Sequence, residues 1–165
     1  MKIIENCAFD REELSLCIGE EDDALLLHLC ERECFPEDPW SEKMFSQNLE
    51  NPSCRVYILY NTQLTKIIAY GVLYVCADEA DLANIAVLPS FRRGGTGRAL
   101  LHRMMQDARE MGAERTFLEV RESNAPARSL YGSYGFAELG IRKNYYKNPR
   151  ENAIIMVLDN KMLRQ

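Results

Sequence analysis

The sequence predicts one mixed α/β (α+β) domain over residues 1–165, with helices on both faces of a central sheet of about six to seven strands. Three observations predict it. An apolar strand-like run, Leu82 to Leu88, passes through a glycine-rich turn into an amphipathic helical run, Ala99 to Met111. Two runs rich in Ile, Val and Tyr, Arg55 to Tyr60 and Lys66 to Val75, precede that unit with a short polar connection between them. A further strand, a helix and a closing pair of strands follow it. An antiparallel meander that leads into alternating strands and helices buries its sheet by covering both faces.

The elements follow in order. Asp22 to Cys34 reads as a helix with Ala24, Leu25, Leu27, His28 and Leu29 in an apolar band. Pro36 and Pro39 stop it, so Phe35 to Trp40 is a loop, and Ser41 caps a short helix to about Leu49. Asn61-Thr62-Gln63 suits a hairpin turn between the first two strands. Glu79 to Leu88 is the next strand, ending at Pro89. In the helix that follows, Leu100, Leu101, Met104, Met105, Ala108 and Met111 share one face, and Arg98, Arg103, Gln106, Asp107 and Glu110 the other. Gly112 stops that helix. Thr116 to Val120 is a short strand. Asn124 caps a helix from Ala125 to Tyr134, with Pro126 in its first turn and Gly135 at its end. Phe136 to Tyr145 and Ala153 to Leu158 close the sheet around the Lys147-Asn148-Pro149-Arg150 loop.

Bulk properties exclude several classes. No apolar run approaches the ~20 residues that cross a bilayer, and Met1 to Asn6 opens without the apolar stretch of a secretory signal. A cytoplasmic protein with no membrane partner is expected. The net charge of −5 argues against nucleic-acid binding as its main task. Cys7, Cys17, Cys30, Cys34, Cys54 and Cys76 are irregularly spaced and read as free thiols. Cys30 and Cys34 share a helical face near His28, but further metal ligands are missing from the pattern, so no metal is expected.

Arg92-Arg93-Gly94-Gly95-Thr96-Gly97-Arg98 lies between a strand and a helix. Such a turn leaves backbone N–H groups without intrahelical partners at the positive end of the helix dipole. Glycine lets a ligand approach those amides closely. The turn is a site for phosphate oxygens. A P-loop would place Lys and Ser or Thr at the helix start; Gly97-Arg98-Ala99 has neither. A dinucleotide fingerprint would need a third glycine at position 100, which is Leu.

Arg92-x-x-Gly95-x-Gly97 instead resembles the element with which the GNAT N-acetyltransferases (GCN5-related) grip the pyrophosphate of acetyl-CoA. Asn84-Ile85-Ala86-Val87 is the strand before the turn, and the resemblance implies that its backbone pairs with the pantetheine arm. Moving an acetyl group from a thioester to an amine requires deprotonating an ammonium, stabilising an oxyanion and releasing a thiolate. An N-terminal amine titrates near ~8, so a carboxylate can serve as base. Glu119 lies on its strand with its side chain opposite Leu118 and Val120. It reads either as that base or as a strand acid paired with Arg121 or Arg115. Tyr131 reads either as the acid that protonates the thiolate or as a core tyrosine whose hydroxyl reaches the surface.

A wider set of segments carries the resemblance across most of the chain. They are Phe35-Pro36, Trp40-Ser41-Glu42-Lys43, Glu119-Val120-Arg121-Glu122-Ser123-Asn124, Leu130-Tyr131-Gly132-Ser133-Tyr134-Gly135-Phe136, Ile141-Arg142-Lys143-Asn144-Tyr145-Tyr146 and Ala153-Ile154-Ile155-Met156. Together they are similar to the RimI-type members of that family, which acetylate the N-terminal alanine of small-subunit ribosomal protein 18. The resemblance implies a GNAT fold with a splayed acetyl-CoA cleft, acetyl-CoA as cosubstrate, Glu119 as general base and Tyr131 as general acid. It implies cofactor contacts from Ile85, Ala86, Val87, Arg92, Arg93, Gly94, Gly95, Thr96, Gly97, Arg98, Asn124 and Tyr131, with a backbone N–H near Val87 polarising the thioester carbonyl. It also implies that residues 141–146 and the loop 36–40 shape a groove for a protein N-terminus. Glu37-Asp38-Pro39 and the longer N-terminal region depart from the family pattern, and both lie on the acceptor side. A small amine (polyamine, amino acid or aminoglycoside) is the alternative acceptor, and a CoA-binding module without turnover is a rival of another class.

Overall fold

The computed structural model describes residues 2–5, 14–61, 63 and 65–162, residues 2–5 by their backbone. Its elements run β1 (Lys2–Glu5), β2 (Leu14–Ile18), α1 (Ala24–Cys34), α2 (Glu42–Glu50), β3 (Cys54–Asn61), β4 (Lys66–Cys76), β5 (Glu79–Val87), α3 (Thr96–Glu110), β6 (Arg115–Arg121), α4 (Ala125–Tyr134), β7 (Ala137–Lys147) and β8 (Arg150–Asp159). The strands form one sheet in the order β1-β2-β3-β4-β5-β6-β8-β7. All neighbours are antiparallel except β5 and β6. The N-terminal strands β1 and β2 extend the expected sheet to eight. Thr62, at the centre of the expected hairpin turn, and Cys7 lie outside the described residues.

The helices cover opposite faces. Tyr70 and Tyr74 of β4 reach Glu31 of α1 and Asn48 of α2 on one side. On the other, Tyr57 of β3 reaches Asp107 of α3, and Met104 packs over Gly71. α4 lies beside α3, joined by Arg98 to Ser133 at 3.0 Å and by His102 to Tyr134 at 3.0 Å. Local chemistry sets the helix ends. Ser41 accepts the Met44 N–H at the start of α2, and Asn124 accepts the Ala127 N–H at the start of α4. Gly112, at φ 96°, ends α3 with its own N–H on Arg109 O and the Ala113 N–H on Ala108 O, so two terminal carbonyls are satisfied.

Four side-chain assignments change. In α1 the buried positions are Ala24, Leu27, Cys30 and Glu31, while Leu25 and Leu29 are exposed. α3 starts at Thr96, inside the glycine turn, and Met111, the C-cap just past its end, is exposed. Asp107, expected on the polar face, is 3% exposed. It accepts from Tyr57 Oη at 2.9 Å, Arg55 Nη1 at 3.2 Å and Arg103 Nε at 2.8 Å. The carboxylate is tolerated because two guanidinium groups and a phenol replace its water. Removing it would strand those donors, so Asp107→Ala is expected to destabilise the fold by about 3 kcal/mol, measured as a lower urea midpoint with unchanged slope.

Candidate active site

β5 and β6 start side by side and then part. Their parallel pairing covers only Glu79–Leu82 against Arg115–Leu118. At that point β5 carries a bulge: Val72 opposes Asn84 and Leu73 opposes Leu82, leaving Ala83 as the extra residue. A bulge bends its strand and increases local twist, which carries Asn84 to Val87 away from β6. Leu88 donates its N–H to Ile68 O of β4. Backbone alternation therefore turns the amides and carbonyls of Val87 and Ile85 the other way, into the gap, while Ala86 faces β4. The Val87 carbonyl accepts from Arg92 Nε at 2.8 Å.

The glycine turn closes the floor of this gap. Gly95 is the N-cap of α3 at φ 85°, and Arg93 also has positive φ. The Phe91 and Arg92 amides are used inside the preceding short 3-10 turn, and the first intrahelical bond is Ala99 N–H to Gly95 O. No acceptor among the described residues meets the amides of residues 93–98. Nothing lies within 4 Å of where a Cβ on Gly94 or Gly95 would stand, so a ligand can reach the amides. Thr96 Oγ1 donates to Phe91 O at 3.3 Å and clamps the turn. Open amides, a helix N-terminus and unpaired strand backbone along one gap fit a diphosphate with an amide-bearing arm.

Glu119 stands on the opposite side of the divergence. Its strand buries Thr116, Leu118 and Val120 and leaves Phe117, Glu119 and Arg121 half-buried. Its partner is neither Arg121 nor Arg115, but Arg142 of β7, at 2.8 Å between Oε1 and Nη1. Arg142 is 56% exposed, so this pair is worth less than ~1 kcal/mol and can open. A cleft of about 420 Å³ runs in front of Glu119, lined by Tyr74, Asp81, Phe117, Arg142 and Ile155 among others. Burial, then the charge of Glu119, pushes the Asp81 carboxyl up. The Tyr145 phenol is raised chiefly by its hydrogen bond to Glu119.

Tyr131 lies in the middle of α4 and is 7% exposed, its ring tilted against Phe136. Burial holds its phenol protonated, far above the usual tyrosine range, and neighbouring Tyr146 adds to the effect. Tyr146 is itself pushed up to about 12, mainly by burial. Its hydroxyl reaches Glu119 O at 3.5 Å, and the Arg121 guanidinium sits 4.1 Å from its ring centroid. Arg121 also binds Asn148 O at 2.9 Å, Glu151 at 3.5 Å and Asp38 at 3.6 Å. The Glu37-Asp38-Pro39 segment is thus tied to β6. Asn124 spends its Oδ1 on capping α4. Sequence reasoning missed Asp81 and Arg142 as neighbours of Glu119. Only the β5–β6 and β7–β8 registers bring them together.

A mixed open sheet whose central parallel strands diverge above a glycine-rich helix start fits an acetyl-CoA-dependent N-acetyltransferase. Residues 24–136 match the acetyltransferase (GNAT) family, and the chain belongs to it. It is 46% identical over 122 residues to the ribosomal protein bS18-alanine N-acetyltransferase of Escherichia coli, covering 73% of this chain and 80% of that one. The crystal structure of the ribosomal-protein alanine N-acetyltransferase from Escherichia coli superposes with a TM-score of 0.82 at 38% identity, over 92% of this chain and 97% of that chain. A GNAT family acetyltransferase from Elizabethkingia anophelis with acetyl-CoA bound shares the fold, at a TM-score of 0.70 and 22% identity over 90% of this chain and 99% of that one.

The left-handed Gly95 yields a test of the turn. Gly95→Ala is expected to lower stability by about 1 kcal/mol, because a Cβ disfavours that conformation. It should also raise the KM for acetyl-CoA more than that of the acceptor, measured by steady-state CoA release.

Proposed function

We propose that this enzyme acetylates the N-terminal alanine of a ribosomal protein, the ortholog of bS18, in the cytoplasm. The single observation that carries the reading is the gap between β5 and β6, with open amides at 93–98 on one side and Glu119 on the other. The 46% identity to an enzyme named for that acceptor supports the choice of substrate.

Acetyl-CoA supplies an activated acyl carbon and a sulfur leaving group. The chain does the rest. The amides after Arg92 hold the diphosphate, and the Val87 and Ile85 backbone aligns the arm. Ile85, Ala86, Asn124 and the residues from Arg92 to Arg98 form the surrounding contacts. Glu119 takes the ammonium proton, directly or through a water, and passes it to solvent. The freed amine forms the C–N bond as the C–S bond breaks. Tyr131 gives its hydroxyl proton to the departing sulfur, and the second nitrogen proton restores the phenol. One proton is released overall. Burial keeps the Tyr131 phenol protonated, as a donor must be, and also makes it a weaker acid, so the transfer depends on the negative charge that builds on sulfur as the C–S bond breaks.

Glu119→Gln is expected to lower kcat at pH 7 by about 10²–10³-fold. The deficit should shrink as pH rises past ~8, where the acceptor amine is already neutral. Tyr131→Phe should lower kcat by about 10²-fold with little change in either KM. Incubation of an Ala-Arg peptide with acetyl-CoA, followed by mass spectrometry, tests the acceptor. A 42-dalton gain (~ one acetyl group) at the N-terminus supports it. Turnover of spermidine with an untouched peptide would move the enzyme to the small-amine class, and CoA binding without turnover of any amine would make it a regulatory module.

A further inference from the structure

A buried carboxylate lies under the acceptor-side loop and takes no part in the chemistry above. Glu31 is 1% exposed, and each hydrogen-bond partner of its carboxylate among the described residues donates to it. Tyr70 Oη donates to Oε2, the Trp40 N–H to Oε1 at 3.1 Å, and Asn84 Nδ2 to Oε1 at 3.4 Å. Asn84 Nδ2 also reaches Tyr70 Oη at 2.9 Å. These partners belong to three separate parts of the site. Trp40 ends the loop 35–41 between α1 and α2. Tyr70 lies at the centre of the sheet. Asn84 is the first β5 residue beyond the bulge, one position before the stretch whose backbone lines the gap.

The surroundings reinforce the connection. His28 Nδ1 meets Trp40 O at 2.8 Å, so both backbone polar groups of Trp40 are held by α1. The Trp40 ring packs on Phe45 at 5.7 Å, and Phe45 packs edge-on against Tyr70 at 5.4 Å. Two residues before Trp40 the loop is tied through Asp38 to Arg121 of β6. The loop therefore bridges the two diverging strands: Glu31 links it to β5, and Arg121 links it to β6.

We propose that Glu31 is a positioning residue, which fixes the acceptor-binding loop and the acetyl-carrying strand in one register by holding Trp40 and Asn84 on a single carboxylate. It is not an alternative base. An asparagine amide does not relay protons, and Glu31 is buried and does not line the cleft in front of Glu119. Its effect falls on where the amine sits relative to the acyl carbon, and small displacements of a reacting group are costly. This rests on the reading that residues 36–40 wall the acceptor groove.

Glu31→Gln is the test, because it keeps size and one acceptor oxygen but places an NH₂ donor against another donor. It is expected to raise the KM for an Ala-Arg peptide about tenfold, with the KM for acetyl-CoA changed less than about twofold. A role confined to packing would lower the active fraction, and so kcat, while leaving both KM values alone; that result overturns the proposal. Trp40 is the only tryptophan of the chain, so its emission reports the loop without any acceptor. The variant should show red-shifted emission and stronger acrylamide quenching, and an unchanged spectrum would also overturn the proposal. A wild-type enzyme that ignores the peptide would sink the acceptor assignment alone, and Glu31 would then be judged by fluorescence. If Glu31→Gln fails to fold, Tyr70→Phe removes one donor from the same carboxylate and must move both readouts in the same direction.

Discussion

The parallel contact between β5 and β6 lasts for four residue pairs, and the rest of the active site depends on its ending there. The cause is one extra residue, Ala83, opposite β4. Without the bulge, β5 would continue along β6, and the Val87 and Ile85 amides would be consumed by a ladder. The sheet gives up hydrogen bonds at this point, and unpaired backbone is costly when buried. A ligand that carries its own amides can replace the missing strand. The same divergence sets Glu119 on the far strand, facing the opening.

Two buried carboxylates hold the halves of the domain in place around that opening. Asp107 on α3 ties the helix that begins in the glycine turn to β3, beneath the sheet. Glu31 on α1 ties the opposite layer to β4 and β5. Each sits in the last turn of its helix and faces a sheet tyrosine, and each would be expensive if left without its donors. The glycine turn and the loop 35–41 are thereby fixed to one sheet from opposite faces.

Features governed by neighbouring residues could be read from the sequence. The caps at Ser41 and Asn124, the stops at Gly112 and Gly135, and the open turn at 92–98 all stand where local chemistry puts them. So does the orientation of Glu119, because alternation along a strand needs no partner. What could not be read depends on pairs far apart in the chain. Asp107 falls three residues after Met104, at the edge of the apolar face, and Arg103 alone would not make burial tolerable there without Arg55 and Tyr57 of β3. Arg142 meets Glu119 because β8 lies between β6 and β7, an order that periodicity does not encode. The alternation Leu14-Ser15-Leu16-Cys17-Ile18 did carry a strand signal, but at five residues it has weight only beside β3.

The uncapped start of α3 has a thermodynamic side. Its free amides and dipole find no partner among the described residues, and they do not exist as a cluster in the unfolded chain. A diphosphate seated there, as proposed above, would bind only the native state. Folding and cosubstrate supply then become linked equilibria, with stabilisation of about 2.7 kcal/mol when the ligand stands at a hundred times its dissociation constant. The enzyme's resistance to unfolding would thus follow the metabolic state of its surroundings, through a turn whose glycines contribute almost no packing of their own.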